Sequence, residues 1–139
     1  MVWTNLNWTF ATLCSQIKRG NIEFTHEPNV SNQAMSRYIE DILLEIPQKP
    51  IILARKPNSK TQYIAINSDR PLTCIKIFLD NCPITELVAR GDLNDKRHSL
   101  LDEETLRMLE NSVQYTLAVI ESSREYLELL RKRTINFSD

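Results

Sequence analysis

Between Gln62 and Leu79 an apolar strand, a polar turn and an amphipathic helix follow one another with no spacer. Tyr63–Ile66 reads as a short strand, Asn67–Arg70 is a polar tetrad, and Leu72, Ile75, Phe78 and Leu79 fall at helical spacing. A strand that turns through small polar groups straight into a helix aims backbone N–H groups at one point, which suits an anion. Just upstream, Ile51–Ala54 is a second apolar run, and Lys56-Pro57-Asn58-Ser59-Lys60 between the two has turn chemistry. A hairpin is therefore expected there, feeding directly into the polar turn.

The remaining pattern is mixed. Phe10, Leu13, Cys14 and Ile17 predict a helix with Thr9 as N-cap, Lys18 and Arg19 at its negative end and Gly20 as its stop. Asn21–Phe24 predicts a short strand and Thr25–Ser31 a loop. Met35, Tyr38, Ile39, Ile42, Leu43 and Ile46 then trace the clearest helix, capped by Ser31 or Asn32 and ended by Pro47. After the turn, a helix is expected over about 71–81, with Asp69 or Arg70 near its cap. Leu87–Ser99 reads as irregular, and Asp102 as the cap of a helix through Asn111. Tyr115, Leu117 and Val119 alternate as in a strand, and Ser122 with Glu125 forms a capping-box pattern. The last helix should turn Tyr126, Leu127 and Leu130 inward and end at Arg131-Lys132-Arg133. The expected fold is α+β, one small domain over residues 1–139, a mixed sheet with flanking helices.

Composition excludes more than it selects. At 42% hydrophobic and 25% charged, with a formal net charge of -1, the chain carries no global basic signature of nucleic-acid binding. Any such binding needs a local patch. Cys14, Cys74 and Cys82 are far apart with no Cys-x-x-Cys, so reduced thiols are expected, Cys14 and Cys74 buried and Cys82 exposed before Pro83. With two histidines, His26 and His98, no zinc site and no other metal or cofactor is expected. The N-terminal Met-Val-Trp-Thr-Asn-Leu-Asn-Trp lacks the charged and apolar regions of a signal peptide, and no apolar run has membrane-spanning length. A cytoplasmic protein with no membrane partner is the expectation.

The run Arg37-Tyr-Ile-Glu-Asp-Ile-Leu-Leu-Glu-Ile-Pro-Gln-Lys-Pro-Ile-Ile-Leu53, the lead-in Arg19-Gly20-Asn-Ile-Glu, and the later pieces Leu100–Leu109, Tyr115–Ile120 and Leu130–Asn136 come in a familiar order. Together they resemble the ParB-like domain at the amino end of GmrSD-type restriction and SspE-type phage-defence proteins. The resemblance covers nearly the whole chain and implies a ParB/sulfiredoxin-like fold. Such domains use a Gln-Arg pair in the first loop and Asp-Gly-Gln-Gln-Arg after the hairpin to hold phosphates and support nucleotide hydrolysis or DNA cleavage. Here Thr25-His26 stand in the first place and Asn67-Ser68-Asp69-Arg70-Pro71 in the second. Asn67 cannot act as a general base or supply a metal's charge. Ser68 crowds a backbone that Gly leaves open, and Pro71 removes a guanidinium and an N–H.

The resemblance thus implies a kept scaffold with its chemistry dismantled. The expected function is a non-catalytic interaction or regulatory protein, in phage–host defence or counter-defence, with a protein partner related to that family or a second copy of the chain. The alternatives are a DNA-binding module that reuses the phosphate pocket, and a residual nucleotidase or nuclease with Asp69 and Arg70 in shifted roles. Candidate phosphate contacts are Asn67, Ser68, Asp69, Arg70, His26, Arg37, Arg131 and Arg133. Four of them have a plainer reading: His26 as a solvated loop residue, Arg37 as the partner of Asp41 at i+4, and Arg131 and Arg133, in the Arg131–Arg133 cluster, as the complement of a helix dipole. Trp3 and Trp8 read as a core edge or an oligomer contact rather than base-stacking groups.

Overall fold

The computed structural model describes residues 2–114, 116–121 and 124–137, with side chains over 3–114, 124–129 and at 116, 118 and 132. It is an α+β fold built on a five-stranded mixed sheet. The strands are β1 (Val2–Asn5), β3 (Ile22–Glu23), β4 (Ile51–Arg55), β5 (Tyr63–Ala65) and β7 (Thr116–Glu121), in the order β1-β7-β4-β5-β3. A separate ribbon pairs β2 (Trp8–Thr9) with β6 (Val113–Gln114). The helices are α1 (Phe10–Lys18), α2 (Asn32–Leu43), α3 (Asp69–Leu79), α4 (Glu103–Glu110) and α5 (Arg124–Phe137). The hairpin is antiparallel, β4 against β5, while β4 with β7 and β3 with β5 run parallel.

Strand pleating sorts the sheet's residues into two layers. Ile51 and Leu53 of β4, Tyr63 and Ala65 of β5 and Ala118 of β7 face one side, where Phe10, Leu13, Met35, Ile39, Leu72, Ile75, Phe78 and Leu109 of the first four helices close the main core. Ala54, Ile64 and Ile66 face the other side and meet Leu127 of α5, flanked by Ile52 and Tyr126. The main core is anchored by Phe10 against Phe78, edge to face at 6.4 Å, and Trp8 stands edge-on to Tyr63 at 5.6 Å. Trp8 is thus a core-edge residue, whereas Trp3 is 45% exposed on the edge strand β1.

Helix starts fall where the caps predict. Thr9, Ser31 and Asp102 each accept the N–H three residues on. Helix ends share one device, expected at Gly20 for α1 but not for α2 or α3. α1, α2 and α3 all close in a Schellman motif, with Gly20, Glu45 and Asn81 in the left-handed region. In α2, Glu45 N–H donates to Ile42 O at 3.1 Å and Ile46 N–H to Asp41 O at 2.9 Å. This ends the helix at Leu43 and leaves Ile46 exposed, although its spacing continues the apolar stripe. α3 likewise spans 69–79 rather than 71–81, shifted one half-turn earlier because Ser68, not Asp69 or Arg70, is its N-cap.

Other expectations are corrected. The segment before α1, unassigned from the pattern, forms β1 and β2, and β1 takes the sheet edge beside β7. Leu87–Ser99 contains two short 3-10 turns and is tied by Asn94, whose amide accepts from Leu87 N–H and donates to Leu87 O. α5 continues past Arg133 to Phe137. The Ser122 half of the expected capping box and Tyr115 lie outside the described residues, as does the side chain of Leu130. All three cysteines are free; Cys82 is half-buried against the core rather than exposed. Burial pushes the Cys14 thiol up to about 12 and the Cys74 thiol up to about 11, so both are unreactive. Among the described residues no helix is long and apolar enough to cross a membrane.

Candidate functional site

The polar turn forms where β5 ends. Asn67 takes φ 51°, a left-handed conformation that Asn tolerates better than most residues, and swings the chain off the sheet. Ser68 follows, 2% exposed. Its hydroxyl makes no cap bond to α3. Instead its oxygen accepts from Ile52 N–H at 2.8 Å while the O–H donates to Ile66 O at 3.1 Å. Ile66 N–H already donates to Ile52 O at 2.8 Å. The hydroxyl is therefore inserted into the last rung of the β4–β5 ladder, where a direct N–H to carbonyl bond would otherwise close the pair.

Asp69 opens α3, 3% exposed, and turns away from solvent. One carboxylate oxygen accepts from Thr25 N–H at 2.8 Å, and the other lies 3.5 Å from His26 Nδ1. Thr25 Oγ1 in turn donates to Ala65 O at 2.7 Å. This clamp fixes the loop after β3 onto the end of β5. Burial raises the Asp69 pKa, and bonds from the backbone N–H groups of Thr25 and His26 oppose that only in part.

A folded-state pKa raised above the ordinary 3.8 means that the folded chain holds this proton more tightly than the unfolded one. The group's stabilisation is complete below the ordinary value and is lost as pH climbs through the raised one. Asp69→Asn removes the ionisation but keeps an acceptor for Thr25. Its melting temperature is expected to gain on wild type as pH rises from about 4 to about 7. Two parallel pH profiles would refute this account.

Beside the turn runs a groove of about 830 Å³ that His26 does not line. α2 forms one wall, through Gln33, Arg37, Tyr38 and Asp41. The segment Pro47–Pro50, which leads into β4, forms the second. Asn67, Ser68, Arg70, Pro71 and Cys74 form the third. Arg37, Lys49 and Arg70 are exposed, and among the described residues none of them forms an ion pair. The expected Arg37–Asp41 pair is absent from that set. The lining thus holds three cations and one carboxylate, Asp41.

The fold brings together Arg37, Asn67, Ser68 and Arg70 of the sequence-derived candidates. It does not bring Asp69 or His26 to the groove. His26 is no free loop histidine; it is half-buried and held beside Asp69. The side chains of Arg131 and Arg133 lie outside the described residues, although both positions fall within α5. Lys49, Gln33 and Gln48 were not singled out from the sequence; Pro47-Gln48-Lys49-Pro50, a polar pair pinned between prolines just before a strand, is the signal that could have found them. Among the described residues no cluster of three or more His, Cys, Asp or Glu could hold a metal ion. The chain matches no protein-family model, no curated protein and no solved structure.

Proposed function

We propose that this chain is a ParB-like domain that has lost catalysis and binds the phosphate backbone of nucleic acid in the groove between α2 and the 67–71 turn. The observation that carries the binding is a set of three cations, Arg37, Lys49 and Arg70, none of them in an ion pair among the described residues, on one concave surface of a chain whose net charge is -1. Cations collected in a groove without ion-pair partners meet phosphates without first breaking a pair, and each contact releases counterions. Loss of catalysis is supported by the turn itself. The Ser68 hydroxyl is bonded to Ile52 and Ile66, one Asp69 oxygen accepts from Thr25, and both side chains are buried away from the groove's opening to solvent. The succession of helix, short strand, helix, hairpin, polar turn and helix supports the ParB-like reading.

Fluorescence anisotropy with a labelled oligonucleotide across a salt series tests it. Binding should weaken steeply with salt. Arg70→Ala should lower affinity about fivefold and reduce the log–log salt slope by about 1. Salt-independent binding, or indifference to Arg70→Ala, would sink the proposal. A second reading, a protein partner, draws on a different surface. Ile46, 46% exposed, and Val113, 66% exposed, border a cleft of about 480 Å³ between the end of α2 and β6. That reading gains if no oligonucleotide binds at low salt.

A further inference from the structure

We infer that the groove takes an unpaired strand rather than a duplex, a specificity that rests on the nucleic-acid reading above. The first reason is shape. At about 830 Å³ the groove is concave and falls in the size range of small-ligand clefts, room for one or two nucleotides. Duplex readers do the reverse, pushing a convex helix or ribbon into the DNA's own groove. Here α2 is a wall of the cleft and not a ridge above it.

The second reason is the chemistry of the lining. Beside the three cations stand the side-chain amides of Gln33, Gln48 and Asn67. Each amide offers donors and an acceptor, which matches the edges of a base. In a duplex those edges are paired or sunk in a groove; in a single strand they are open. Gln48 Nε2 already donates to Ile46 O at 2.9 Å, which leaves its carbonyl oxygen as an acceptor held in place. Tyr38, partly buried against the main core, adds the apolar surface it leaves open on the same wall, of the kind on which unpaired bases pack. Burial raises the Tyr38 pKa, so the phenol stays neutral beside the phosphates. Cations for the backbone together with amides and a ring for the bases make a site that uses both halves of an unpaired nucleotide. A duplex could reach only the cations.

The test compares one labelled mixed-sequence DNA strand with the same strand annealed to its complement, at about 50 mM salt. Wild type should bind the single strand about tenfold more tightly or better. The double variant Gln33→Ala/Asn67→Gly removes two amides, keeps every cation and suits the left-handed backbone at position 67. It should bring the preference to within about threefold, by weakening the single strand more than the duplex. Equal or tighter duplex binding by wild type would overturn the single-strand inference and leave the nucleic-acid reading standing. An unchanged preference in the double variant would remove the amides from the account. Binding of neither form would overturn both the inference and the reading beneath it.

Discussion

Arg37→Ala/Lys49→Ala/Arg70→Ala is expected to weaken single-strand binding by about 100-fold or more at low salt and to reduce the salt slope by about two. The slope follows from counting: each phosphate neutralised on a single strand contributes about 0.7, and three are removed. The three residues lie on different segments, on α2, on the linker before β4 and at the start of α3. Only the folded chain brings them together, so the loss measures the assembled groove and not a charged stretch of sequence. Because all three are exposed and without ion-pair partners among the described residues, the melting temperature should hold. Affinity within about threefold of wild type would place the binding surface elsewhere.

Ser68→Ala should have the opposite profile, a large loss of stability with the groove cations intact. The change leaves Ile52 N–H and Ile66 O, inside the sheet, without the hydroxyl that joins them. Leaving two buried backbone groups unpaired costs about 2–3 kcal/mol. Urea denaturation would read that cost directly, and hydrogen exchange at the Ile52 amide should quicken with it. A loss under about 0.5 kcal/mol would mean that the ladder closes on itself and that the hydroxyl is dispensable. The pair of variants separates the turn's structural part from the groove's binding part.

What could be read from the sequence follows the range of the forces involved. The N-caps Thr9, Ser31 and Asp102 act within three residues, and the hairpin turn at 56–60 is equally local, so both were legible. The α+β class followed from the alternation of such elements. The end of α2 was misjudged because Ile46 continues the apolar period, while the Schellman closure rests on Glu45 adopting a left-handed backbone that its residue type does not announce. β1 and β2 were missed because Val2–Thr9 alternates too briefly, and their partners lie more than 100 residues away. The polar turn was visible as a place but not as a device. Ser68 is explained by Ile52, 16 residues back, and Asp69 by Thr25, 44 residues back. Read locally, both side chains look open to solvent; in the fold both are buried, with the Ser68 hydroxyl and one Asp69 oxygen bonded to the backbone.

The arrangement of the sheet also sets the order in which the chain can complete itself during synthesis. β1 holds residues 2–5, yet its partners are residues 117–121, and β7 also supplies the parallel neighbour of β4. At a ribosomal pace of about 5–20 residues per second, the first strand waits on the order of ten seconds for its mate. Through that interval the Trp3-bearing strand and the far edge of β4 stand open. The hairpin and the polar turn, by contrast, close within residues 51–69 as they emerge. The groove's third wall is therefore framed before the sheet is whole, and the newborn chain's vulnerability to stray pairing lies at β1 and at the edge of β4 that waits for β7.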